Sequence, residues 1–285
     1  MLPWWDIPIL ISLGLLAGGL AGLLGIGGGL IFAPVLLWLN LPPHQALATS
    51  SFAIVPTALA GTIVHLQSGS LPSRSALAIG LAGFGSALLF GGLGGLAAGW
   101  MLLAMQTSVY VLLAFSIKEP PQAETNEEDD DDEDEDEDEE RKTVDDTEIQ
   151  KEKQLCSETE ETSAPLLAGV GCIAGWTAGM LGLGGGLVLV PLMSGPFAVP
   201  IHQAIRLSTV AVLCSASAAS LQFLHEGRGI PWMGLTLGSV AALAAQWSAR
   251  RLDLFDSSVL VRCLRGLAIV LAIDSSRRAI QLVLN

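Results

Sequence analysis

Two short runs carry the clearest chemical signal in the chain. Gly25, Gly27, Gly28 and Gly29, and again Gly182, Gly184, Gly185 and Gly186, place four glycines within five residues in the middle of an apolar segment, and Pro34 and Pro191 follow at the same distance. Each glycine costs a continuous helix about 1 kcal/mol against alanine, so both segments are expected to break. Main-chain groups freed at membrane depth are tolerated only where they line a cavity or are buried in protein. The amides that open the following half-helix, from about Leu30 or Leu187, then point inward with the positive end of a helix dipole. Such a site suits an anion. Neither run fits a nucleotide loop: no Lys-Ser/Thr follows the glycines, the sixth position is Leu30 or Leu187, and no strand precedes. Close helix packing explains the flanking Gly14, Gly18, Gly22 and Gly91 to Gly95 better, but packing needs glycine at spacing four rather than side by side.

Polar residues at the same depth are few. Ser50 and Ser51 in the first half, and Ser208 and Thr209 in the second, would offer hydroxyl donors to an oxyanion or bond back to their own helices. Arg206 would attract an anion or reach for the headgroups; its counterpart in the first half is Ala48. His44 and His202, at the entry to their helices, are candidate gates that titrate near neutral pH. No Asp or Glu falls mid-span, which argues against metal binding and against carboxylate-held coupling ions. No catalytic residue, metal site or cofactor is expected. Cys156, Cys172, Cys214 and Cys263 fall singly, without disulfide or zinc spacing.

The elements that must hold these residues follow from composition. The chain of 285 residues is 51% hydrophobic and only 15% charged, with mean hydropathy +0.56, too apolar for an ordinary soluble domain. Its formal charge of -14 belongs to one insert, because residues 119–161 hold 23 of the 28 acidic residues. That insert is read as a disordered linker with no identified partner. Four apolar segments lie on each side of it: Ile7 to Leu39, Gln45 to Leu66, Ser75 to Phe90 and Ala97 to Ile117, then Leu166 to Met193, His202 to Leu224, Ile230 to Ala249 and a weaker one from Val259 to Ile273. Trp4, Trp5, Trp100, Trp232 and Trp247 mark span ends, where indoles prefer the headgroup level. The first apolar run is too long for a cleaved signal peptide.

The halves repeat one another. Gly22 to Pro34 matches Gly179 to Pro191, His44-Gln-Ala-Leu matches His202-Gln-Ala-Ile, and the loop Ser68 to Pro72 resembles Gly227 to Pro231, all at offsets of 157 to 159 residues. Duplicated halves around a central site are a common transporter architecture. These paired glycine-then-proline motifs, each ending the first span of a four-span half, resemble the sulfite exporter TauE/SafE family of membrane permeases. The resemblance covers the whole chain except the insert. It implies a permease for small sulfur-containing or organic anions such as sulfite, sulfoacetate or other sulfonates. The acidic linker and Arg206 are departures from it.

The fold expected is therefore an all-α polytopic membrane protein of about eight transmembrane helices in two homologous four-span repeats with glycine-broken helices. The first repeat takes residues 1–118, the linker 119–164 and the second repeat 165–285. The function expected is export of a small anion between the repeats, in a bilayer, with no nucleic acid partner and with room for a homo-oligomer. A permease for another small solute, a membrane scaffold that recruits a basic partner through the insert, and an intramembrane enzyme are the rival classes. The last lacks a GxSG serine or paired mid-span aspartates. Even span counts put both termini and the insert on one side, and the Lys/Arg bias makes that side the cytoplasm of a cell membrane. If the glycine breaks are hairpins, the repeats become inverted instead.

Overall fold

The computed structural model describes residues 6–24, 29–67, 73–116, 164–194, 201–249 and 257–284. The acidic insert, Gly25, Gly27, Gly28, Trp4 and Trp5 lie outside them. The described residues form ten helices and no strand: α1 (Asp6–Leu24), α2 (Gly29–Trp38), α3 (Pro43–Gln67), α4 (Ser73–Gly94), α5 (Gly99–Ser116), α6 (Ala164–Leu181), α7 (Gly186–Ser194), α8 (Ile201–His225), α9 (Pro231–Ala249) and α10 (Ser257–Leu284). Three stretches are long and apolar enough to cross a membrane, Pro43–Ile63, Ser75–Gly94 and Ala204–His225, and three shorter apolar ones are Gly29–Trp38, Gly99–Phe115 and Leu166–Leu181.

Local chemistry explains the helix ends. Asn40, at φ 60°, closes α2 in the left-handed conformation, with Leu41 N–H donating to Leu36 O (3.3 Å) and Asn40 N–H to Leu37 O (3.1 Å). Gly227 closes α8 the same way, through Arg228 N–H to Phe223 O (3.1 Å). Pro231 then opens α9, where its missing N–H costs nothing. The Ile230 amide just before it donates to Thr49 Oγ1 of α3 at 3.1 Å. The last helix departs from expectation: it runs through Asp274 to Leu284 instead of stopping at Ile273. Asp274 is tolerated because its carboxylate accepts from Arg278 Nε and from the Trp38 indole, both at 3.0 Å. Arg278 also donates to Leu37 O (2.9 Å), so it caps the last turn of α2 with a cation.

Packing crosses the middle of the sequence. The most extensive pairings set α4 along α6 and α8, α9 along α1 and α3, α5 along α10, and α3 along α8. Each of these joins a helix before the insert to one after it. Small residues permit the approach. A Cβ on Gly18 would overlap the Ala241 carbonyl, one on Gly238 the Ala53 carbonyl, and one on Gly179 would stand 2.6 Å from Ala87 O. Gly14 likewise lies against α9 and Gly91 against Gln222, as close packing requires. Large apolar side chains face outward instead, among them Leu81, Leu89, Phe115 and Leu243. Helix crossings lined by Ala and Gly, with large apolar side chains on the outer surface, suit a lipid solvent.

Candidate functional site

The break at the second glycine run is well defined. Helix α6 ends at Leu181, α7 begins at Gly186, and Gly182, Gly184 and Gly185 between them take φ of 62°, 72° and 76°. Only glycine adopts three such angles in four residues at low cost. The loop is buried in protein. Gly182 lies against Leu47 and Ser50 of α3, and Gly185 packs on Ala174 of α6, where an added Cβ would stand 2.6 Å from the carbonyl.

Hydroxyls hold the loop carbonyls. Ser50 Oγ lies 2.8 Å from Gly182 O and 2.7 Å from Leu47 O, so its one proton serves a carbonyl in either case. Ser215 Oγ of α8 reaches Gly184 O at 3.3 Å. The first α7 bonds run from Val188 and Leu189 N–H to Gly185 O, both 3.2 Å. The Gly186 and Leu187 amides therefore stand ahead of the helical ladder, where a helix keeps its spare donors.

The two glycine runs meet. Gly29, the last glycine of the first run, abuts Leu183 of the second so closely that a Cβ there would overlap the Leu183 carbonyl, with the Ile54 side chain 3.3 Å away. The structure thus gathers Gly29, Gly182, Gly184, Gly185 and Ser50 in one buried region. Gly186 and Ser51 adjoin this region, and the other sequence candidates lie apart from it or bond within their own helices. Ser51 donates to Leu47 O (3.4 Å), Ser208 and Thr209 to Ile205 O (2.8 and 2.9 Å), each within its own helix. Arg206 is half-buried near the start of α8, and His44 is half-buried at the start of α3, facing Gly99 of α5. Pro34 is buried in α2. Gly186 opens α7, which contains Pro191, and His202 sits in the first turn of α8; the Pro191 and His202 side chains lie outside the described residues.

One feature escaped the sequence reading. Pro34 has no N–H to give the carbonyl four residues back, Leu30 O. The chain's single tyrosine supplies the donor: Tyr110 OH of α5 reaches Leu30 O at 3.2 Å and accepts from Gln106 Nε2 at 2.6 Å. Tyr110 and Gln106 are both fully buried. Gln106 Oε1 has no partner among the described residues, nor does the buried Ser275 Oγ of α10. A proline inside an apolar helix, which leaves a carbonyl in need of a donor, was the available signal.

A lipid-compatible helical bundle with a broken helix buried at its centre, and no charged side chain among its described buried residues, defines an integral membrane protein built around main-chain polar groups. The chain belongs to the sulfite exporter TauE/SafE family, whose profile matches residues 10–275; it is a family of membrane transporters, not enzymes. A probable membrane transporter protein of Xylella fastidiosa (strain 9a5c) is 29% identical over 210 residues, covering 72% of this chain and 69% of that one. The probable membrane transporter protein YunE of Bacillus subtilis (strain 168) is 23% identical over 234 residues, 79% of this chain and 80% of its own. The sulfite exporter TauE/SafE family protein 6 of Arabidopsis thaliana is 39% identical over 61 residues, only 21% of this chain and 14% of its own. No solved structure matches.

Proposed function

We propose that the protein is a permease that exports a small anion, sulfite or an organosulfonate, through a site between two homologous four-span repeats that together cross the membrane eight times. The observation that carries this reading is the meeting of the two glycine runs at Gly29 and Leu183, since duplicated broken helices that converge supply backbone donors from both halves. The amides that open α2 and α7 are the anion's ligands, the glycine runs 25, 27, 28, 29 and 182, 184, 185, 186 break the helices so that these amides are free to bind, with Gly29, Gly182 and Gly185 also packed against neighbouring carbonyls, and Ser50 holds the break rather than the substrate. The reciprocal pairing of α1 with α9 and α4 with α6 supports the repeat. A negative cell interior expels an anion with about 2.3 kcal/mol per charge per 100 mV, without a coupling ion. The termini and the acidic insert are cytoplasmic in this reading, and His44 and His202 stand at the mouths.

Flux of radiolabelled sulfite, methanesulfonate and sulfate in vesicles of known orientation tests the proposal; absence of flux for all three removes it. Arg206 gives a sharper check. As an anion-attracting residue, Arg206→Ala raises the apparent KM about tenfold and Arg206→Lys, which keeps the charge but loses the fork, gives an intermediate rise. An arginine that only reaches the headgroups tolerates Lys fully, and Ala then lowers membrane yield without changing KM. Deletion of residues 119–161 separates a permease, which keeps most of its flux, from a scaffold, which loses its function.

A further inference from the structure

The hydrogen-bond chain that serves the Leu30 carbonyl below Pro34 has a fixed direction. Leu30 O can only accept, so Tyr110 must donate to it at 3.2 Å. With its proton committed there, Tyr110 can only accept from Gln106, and the group that donates is the amide nitrogen at 2.6 Å. The Gln106 carbonyl, Oε1, is thereby left in the core as an acceptor with no donor among the described residues, on a side chain that is 0% exposed. No buried side chain among the described residues is cationic, so none of them supplies a charged donor. Buried polar groups without partners are rare in native proteins, and one whose orientation is enforced through Tyr110 by a proline on α2 is well suited to meet a ligand.

We propose that Gln106 Oε1 receives a hydrogen bond from the cargo, and that the cargo therefore enters this site as the protonated, O–H-bearing monoanion of a small oxyacid, hydrogensulfite in preference to sulfite. This rests on the permease reading and narrows it. The backbone amides at the helix breaks serve the negative oxygens; Gln106 serves the one oxygen that carries a proton. A fully ionised oxyanion would set lone pair against lone pair at Oε1. Selection for the singly charged form also lowers the desolvation cost of bringing the anion into an interior without buried cations.

The test is thermal stabilisation of the purified full-length protein by sulfite, titrated across the pH range in which hydrogensulfite gives way to sulfite, with methanesulfonate as a ligand that has no proton to donate. Stabilisation should follow the hydrogensulfite fraction. Gln106→Met, an apolar replacement of similar shape, should stay folded and weaken sulfite about tenfold, while methanesulfonate binding is not weakened. Equal sulfite affinity in both proteins, stabilisation that tracks the dianion, or none at all overturns the assignment. If the Met variant does not fold, Gln106→Asn, which keeps the amide but shortens its reach, carries the same expectation and is judged by the same outcomes. Vesicle flux is read separately. Gln106-dependent binding without flux would keep this inference and remove the permease reading, and flux with Gln106-independent binding would do the reverse.

Discussion

Gly182→Ala should leave little folded protein in the membrane, whereas Gly227→Ala should cost only its backbone strain and still fold. Both glycines hold positive φ, 62° and 64°, so both substitutions carry the same backbone strain, about 1–3 kcal/mol. They differ in space. Nothing lies within 4 Å of a Cβ at Gly227, while one at Gly182 would overlap the Leu47 carbonyl and stand 2.8 Å from Ser50 Oγ. Relief requires α3 and α6 to part, and overpacking of that kind costs roughly a further 1–3 kcal/mol. Yield and melting temperature in detergent, compared between the two variants, check this. Equal stability would mean that the loop is not packed against α3 as described. Because Gly185 is as tightly enclosed on Ala174, its replacement by Val is expected to lower folding itself and not flux alone.

Tyr110→Phe should destabilise the protein by about 1–3 kcal/mol, through a buried carbonyl left without its donor. The cause can be isolated. Pro34→Ala restores an N–H that can bond to Leu30 O inside the helix, so in that background the tyrosine hydroxyl is no longer needed and Tyr110→Phe should cost much less. The double-mutant cycle is expected to show coupling of about 1 kcal/mol or more. A tyrosine that merely fills space would lose the same stability in both backgrounds. Thermal unfolding of the four proteins decides between these accounts.

Much of this architecture was legible in the sequence. Four glycines within five residues disfavour a continuous helix, so the interruption at Gly182 to Gly185 is readable to within a residue (a half-helix expected from about Leu187 begins at Gly186), and span limits such as Gln45 to Leu66 fall close to α3 (Pro43–Gln67). What the sequence withheld were choices between partners. A hydroxyl such as Ser208 bonds equally well to a ligand or to its own helix, and only the 2.8 Å contact with Ile205 O reveals the second. Asp274 read as a terminator because a lone carboxylate ends an apolar run; the Trp38 and Arg278 donors that permit it are far away or looked like loop residues. Gln106 and Tyr110 were passed over because a single amide and a single phenol in an apolar span form no pattern until Pro34 is recognised as a neighbour.

The way α1 lies along α9, and α4 along α6, has a consequence for biosynthesis. When the ribosome has released only the first half, the small-residue faces of α1 and α4 have no counterpart to close on, and assembly must wait for segments made after the insert. The two halves are interlocked, not stacked, so neither is an independent folding unit. Produced from separate messages in one cell, they should rescue each other and co-purify, while each made alone should be degraded. Helices paired across the insert in this way depend on one another for burial, so damage to one side is expected to unfold the other.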